Sequence, residues 1–295
     1  MPMCHGDPNV FDRERFNGHD LVVVGCIAYS ALTLSIWEWL INIEFEVEFL
    51  TSSSSRLMKL VYGTSRYLGI IIQLLNTRFV ATMRNVYCPP PDMCSRWFAL
   101  QLSVTFVLMF NFEGLLMAHV YALYDKSFAV GSFLSVAMVT KVISIGVLAV
   151  LIAKDVIFET VSCVVQMLPP TALAVCALEL AGAVMIVGLT LYRYSTTMVQ
   201  NRGRPIPLLK LVLRDGLVSF ALISGLYLAI VIDTKTTGEV CRIILPLTNA
   251  IASISTTRII RNLRKFPVPN ERMGEVDDLQ LTSVMMTRSS ESELP

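Results

Sequence analysis

Charge is scarce in this chain: 16% of its 295 residues are Asp, Glu, Lys or Arg, against about 25% in an ordinary soluble domain. A soluble globule of this size needs more polar surface to cover its core, so that class is excluded. Histidine is scarcer still, with three in the chain, and no His-Glu-x-x-His or Cys-x-x-Cys spacing occurs. No resident metal or other cofactor is expected. Gly-x-Ser-x-Gly and a phosphate-binding glycine loop are also missing, which removes the common hydrolase and nucleotide signatures, and an enzyme is not expected. A net charge of +1 gives no field to recruit nucleic acid. No Asn stands two positions before Ser or Thr, so N-glycosylation cannot report sidedness. The first twenty residues are polar and mixed in sign and lack the basic start and early apolar run of a cleavable signal, so the first span must itself address the chain to the membrane.

What the chain has in abundance is apolar sequence, 54% of its residues. A bilayer core of about 30 Å takes about 20 residues of apolar helix. Seven stretches qualify: 21–41, 57–75, 97–123, 128–152, 168–192, 212–232 and 243–263. The second carries Arg66 and the seventh is rich in Ser and Thr, a composition tolerated where a helix faces other helices. The expected fold is an all-α integral membrane protein, a bundle of seven transmembrane helices, in the plasma membrane or another membrane of the secretory pathway. Arg193, Arg202, Arg204, Lys210 and Arg214 flank the fifth connection, and Arg258, Arg261, Arg264 and Lys265 close the last span. By the positive-inside rule both sets belong in the cytosol, which places the N-terminus outside. Arg13, Arg15, Arg78, Arg84 and Arg96 pull mildly the other way. Cys4, Cys88, Cys94, Cys163 and Cys241 then all fall on the outer side, where thiols oxidise. The chain divides into an extracellular segment (1–20), the seven-helix domain (21–265) and a tail (266–295) whose Pro, Ser and acidic composition predicts a disordered cytosolic segment.

Certain charges lie inside apolar stretches, where an ionisable group at a helix centre costs at least about 2.5 kcal/mol. Glu38 and Arg66 are expected to pair between the first two spans, and Lys141 with Glu179 between the fourth and fifth. Glu113, Asn111 and Asn249 are further buried polar groups. Structural clasps between helices are the first expectation for the pairs, a ligand or ion pocket the second. At the cytosolic ends, Glu46 and Glu48 stand near the basic residues of the fifth connection and of the last span, a setting for a charge network. Arg261, Arg264 and Lys265 are expected instead to meet anionic lipid.

Short motifs go further. Trp37-Glu38-Trp39-Leu40, Glu46-Val47-Glu48, Ser65-Arg66-Tyr67, Val120-Tyr121-Ala122-Leu123-Tyr124, Leu213-Arg214-Asp215-Gly216 and Arg258 with Asn262-Leu263-Arg264 resemble, in order, the pattern of a multi-pass membrane family of basidiomycete fungi that carries the domain of unknown function 6533. His119 stands where that family usually has Arg. The resemblance implies seven spans and a receptor-like protein, and it marks Glu46, Glu48, His119, Tyr121, Arg214, Asp215 and Arg258 as a cytosolic-face motif. Cys94 before the third span and Cys163 before the fifth are placed like the disulfide of many seven-span receptors, with Cys88 a competing partner. The functional expectation is ligand sensing with a cytosolic read-out through the fifth connection and the tail. Its partners would be membrane lipid, an unknown ligand and a cytosolic signalling protein, with no nucleic acid. The alternatives are a transporter or channel that uses Glu113, Lys141 and Glu179 and, third, a membrane enzyme or scaffold.

Overall fold

The computed structural model describes residues 10–52, 56–83, 91–124, 126–155, 157–158, 165–167, 170–200, 207–233 and 241–264. Within them the chain forms eight helices: α1 (Val10–Leu40), α2 (Ile43–Thr51), α3 (Arg56–Met83), α4 (Pro91–Leu123), α5 (Phe128–Asp155), α6 (Pro170–Gln200), α7 (Pro207–Asp233) and α8 (Cys241–Arg264). The seven long ones coincide with the seven predicted stretches, and α2 is the short addition between the first two. Three helices, α4, α6 and α7, open on proline, whose fixed φ suits the first helical position and whose missing N–H is not needed there.

The architecture is helical, with one small extended element among the described residues. Ile157–Phe158 and Val165–Met167 pair as a small antiparallel hairpin, β1 and β2, between α5 and α6. Two short extended runs facing each other satisfy backbone groups that no helix is there to satisfy. The C-terminal tail, the first nine residues and residues 201–206 lie outside the described residues.

Four helices carry stretches long and apolar enough to cross a membrane: Val22–Leu40, Met93–Leu123, Phe128–Ile152 and Thr171–Thr196. Gly216–Ala229 in α7 is a shorter apolar run. The chain is accordingly a helical membrane protein. Its centre is α8, which packs against α1, α3, α4 and α7, while α5 packs mainly against α6 and borders α4. Buried side chains of α8 are strongly polar, with Thr248, Asn249, Ser253, Ser255, Thr256 and Thr257 all enclosed. On α3 the enclosed set is Ser65, Arg66, Gln73, Asn76 and Thr77. Polar and small residues belong at such helix contacts, because lipid cannot satisfy their hydrogen bonds.

The α3 and α8 backbones come close enough to demand glycine. A Cβ at Gly69 would lie 2.4 Å from Ser253 Oγ and 2.7 Å from its Cβ. Around this contact, Ile72, Val104, Leu108, Met109, Phe112, Ile223, Ala252 and Ile259 form the largest apolar cluster, joining α3, α4, α7 and α8. Amide bridges cross the same region. Gln73 Nε2 donates to the Pro246 carbonyl at 2.6 Å, Asn249 Nδ2 to Gln101 Oε1 at 3.3 Å, and Asn111 Nδ2 to Thr64 Oγ1 at 2.9 Å.

Candidate functional site

Two charged networks are built into the bundle, at different depths. The first gathers near the end of α1. There the chain turns at Ile41 and Asn42 and re-forms a helix, α2, whose first turn carries Glu44 and Glu46, acids favoured by the positive end of the helix dipole. At the other end of α2, Lys59 Nζ donates to the carbonyl oxygens of Leu50 and Ser52, a cation on the carbonyls that a helix terminus leaves free. So anchored, α2 buries Glu46 and Phe49. Phe49 packs on Tyr62 with ring centroids 4.9 Å apart.

Glu38 accepts two parallel bonds from Arg258, Nε to Oε1 and Nη2 to Oε2, each 3.0 Å. This forked geometry joins the last turns of α1 and α8 and is the strongest form of carboxylate recognition. Arg66 instead donates from Nη2 to the backbone carbonyl of Glu38 at 3.0 Å and pairs through Nε with Glu46 Oε2 at 3.6 Å. Its guanidinium carbon stands 5.8 Å from the Tyr62 ring centroid. Tyr67 OH donates to Glu46 Oε1. Asn42 Nδ2 donates to the Glu38 carbonyl at 2.6 Å, and its Oδ1 accepts from Arg261 Nη1.

The expected Glu38–Arg66 clasp is therefore corrected. Arg66 does reach Glu38, but through the main chain, because its head points past the end of α1 toward α2, while α8 delivers Arg258 to the carboxylate. Arg261 is corrected too: it binds Asn42 rather than only facing lipid. Its spacing from Arg258, three residues on one helix face, was the available signal. Sequence reasoning missed Asn42 altogether and had Tyr67 only as part of the Ser65-Arg66-Tyr67 motif, with no partner assigned.

The second network lies midway along α4, α5 and α6. Lys141 Nζ donates to both oxygens of Glu113, at 2.5 and 2.6 Å, and to Glu179 Oε2 at 2.7 Å. All three residues are buried, none more than 9% exposed. One ammonium thus serves two carboxylates. Gly182, one turn beyond Glu179 on α6, leaves space for the lysine head, since a Cβ there would sit 3.2 Å from Nζ. Beside the triad is a cavity of about 310 Å³ whose other walls include Phe106, Phe110, Met138 and Ile145. Lys141 and Glu179 were expected together; Glu113 joins them because its position on α4 faces the α5–α6 seam.

The remaining candidates scatter. Glu48 is exposed. His119 is partly buried, with Nε2 enclosed and unbonded among the described residues. Tyr121 lies against Gly131 of α5, where a Cβ would come within 2.7 Å of the ring. The side chains of Arg214 and Asp215 are outside the described residues, as are Cys88 and Cys163. Cys94 is disulfide-bonded. Cys26 and Cys176 are free thiols. No group of three His, Cys, Asp or Glu that could hold a metal occurs among the described residues.

The first network lies largely within one recognisable segment. Residues 26–71 match the model of a family of unknown function, DUF6533. That segment contains Glu38, Asn42, Glu46, Arg66 and Tyr67, and α8 completes the network with Arg258 and Arg261. No curated protein and no solved structure matches the chain.

Proposed function

We propose that this protein is a seven-span, receptor-like sensor, with its N-terminus outside, whose ligand site lies between α4, α5 and α6. The read-out runs through the inner ends of α1, α2 and α8, the fifth connection and the cytosolic tail. The observation that carries this reading is the buried triad of Glu113, Lys141 and Glu179 against an apolar cavity. A few convergent charges on an otherwise apolar wall are what orients a ligand. A clasp alone would need one carboxylate for one ammonium. The disulfide at Cys94 supports an outer side at the start of α4. The two networks are also connected in the fold, since α4 packs against α8, which holds Glu38 through Arg258. Occupancy at the triad that shifts α4 would be felt there.

A transporter is the second reading, and the same triad favours it, since three ionisable groups meet within the bilayer. The bundle centre speaks against a central pathway: Gly69 and Ser253 are in contact there and α8 is closely packed on four sides. An enzyme is the weakest reading, since neither network contains a Ser or Cys nucleophile or a His base.

Sealed liposomes and intact cells separate these readings. The sensor passes no protons or monovalent cations under an imposed gradient, and proximity labelling from a tag after Pro295 marks soluble cytosolic signalling proteins. A saturable flux abolished by Glu113→Gln would replace the sensor with the transporter. Accessibility of that tag to protease outside intact cells would overturn the orientation.

A further inference from the structure

The cavity at the triad is not closed. Phe110, Met138 and Val142 also line a second, longer groove of about 750 Å³ between α4 and α5, which ends at Tyr121 and Phe128. From Phe110 to Tyr121 its α4 wall extends about 16 Å at 1.5 Å per residue. Phe110, Val139, Val142 and Ile143 along it are exposed, and in a bilayer an exposed residue at this depth faces acyl chains. The approach to the triad is therefore sideways, from the lipid.

The charge at the head of this groove is incomplete. Glu113 and Glu179 share the single ammonium of Lys141, so when both carboxylates are ionised one charge has no countercharge among the residues that line the cavity. An uncompensated charge is costly in such surroundings. A small inorganic cation would find too few oxygens here, since hard cations take about six or more oxygen ligands and the rest of the wall is apolar: Phe106, Val107, Met109, Phe110, Met138 and Ile145. A cation that completes the set at this site is one whose own body wets these walls.

We propose that this site binds a lipophilic monoamine. Its ammonium docks on Glu113 and Glu179 beside Lys141, and its apolar body lies in the α4–α5 groove, entered from the bilayer. This assignment rests on the sensor reading and names its ligand class. Glycines frame the site on both sides. Gly182 holds the lysine ammonium in place by leaving it room, and Gly146 lines the cavity where an added Cβ would meet nothing within 4 Å. A larger side chain can therefore be introduced at this wall of the cavity without a clash at its Cβ.

The test uses the full-length protein in nanodiscs of uncharged lipid, with dodecylamine as probe and dodecanol and dodecanoate as controls. Dodecylamine should bind saturably, raise the melting temperature, and bind at least about tenfold more tightly than dodecanol, the margin a close charge pair supplies. Glu113→Gln leaves Lys141 paired with Glu179 and should weaken the amine by about tenfold or more while dodecanol is unaffected. Gly146→Leu should abolish binding with the melting temperature of the empty protein unchanged, and Gly146→Ala should not. Equal affinities for the amine and the alcohol, or full binding by Gly146→Leu, would overturn the assignment. Nanodisc binding involves no transport. If dodecylamine fails to bind while the tail still marks signalling proteins, the amine is wrong and the sensor stands; a liposome flux that Glu113→Gln abolishes removes the sensor and leaves the binding result untouched.

Discussion

Helices α5 and α8 invert each other. In the spanning stretch of α5, 11% of the residues are buried, and Phe133, Val136, Val139, Val142, Ile143, Val147 and Val150 face outward. Its one intramembrane charge, Lys141, is turned inward to two carboxylates. Helix α8 is enclosed by four neighbours and carries Thr248, Asn249, Ser253, Thr256 and Thr257 in its buried faces. Apolar sequence here marks contact with lipid, and polar sequence marks contact with protein. The reason is solvent: hydrocarbon rewards apolar surface no more than another helix does, yet it cannot satisfy a hydroxyl or an amide.

The sharpest way to break this contrast is to strip α5 of its inward charge. Lys141→Met leaves Glu113 and Glu179 buried without a partner, at a cost of about 3 to 5 kcal/mol. Thermal denaturation in mild detergent should show the loss, and the triple variant with Glu113→Gln and Glu179→Gln should recover most of it. A stable Lys141→Met protein would mean that the triad is reached by water and that α5 is not the lipid-facing helix described.

The next effect lies at the contact of α3 with α8. Gly69→Ala drives a methyl into Ser253 and should cost about 1 to 3 kcal/mol, the usual range for overpacking. Ser253→Gly in the same chain removes the obstructing atoms and should restore much of the stability. Were Gly69→Ala alone neutral, α3 and α8 would not be in close contact.

Smaller is the coupling between the end of α1 and α8. The Arg258 side chain is 52% exposed, so its pairing with Glu38 is screened and should contribute about 0.2 to 1 kcal/mol. A double-mutant cycle of Glu38→Gln with Arg258→Met should show that coupling, whereas Glu38→Gln with Arg66→Met should be closer to additive, since Arg66 holds the backbone of Glu38 rather than its carboxylate. The opposite ranking would restore the direct Glu38–Arg66 clasp.

Smallest of all, Ile143→Leu on the outer face of α5 should change stability by less than about 0.5 kcal/mol. Asn249→Leu in α8 should cost about 0.6 kcal/mol, the average for a hydrogen bond between membrane helices. A costly Ile143→Leu would show that α5 packs against protein rather than lipid.

Much of the bundle was legible because the membrane imposes a single requirement, about 20 residues of helix to cross about 30 Å. All seven predicted stretches coincide with long helices, and the two that looked weakest, in α3 and α8, are those with enclosed polar faces. The short helix α2 escaped notice because three glutamates in nine residues resemble a solvated loop; the anchoring of Glu46 by Arg66 and Tyr67 is what encloses one of them. The hairpin of β1 and β2 was equally hidden, since five residues carry no period.

Which residues are charged, and which apolar stretch each one interrupts, the sequence by itself determined. Which of them meet was decided only in the tertiary structure. Depth along a helix follows from counting at 1.5 Å per residue, and on depth alone Glu38 and Arg66 are a reasonable pair. Pairing also depends on the direction in which each helix turns its face and on which helices are neighbours, and neither is encoded in a linear count. Arg258 lies 220 positions from Glu38, and Glu113 lies 66 positions from Glu179; the packing of α8 against α1 brings the first two to hydrogen-bond length, and that of α4 against α5 and α6 brings both carboxylates onto Lys141.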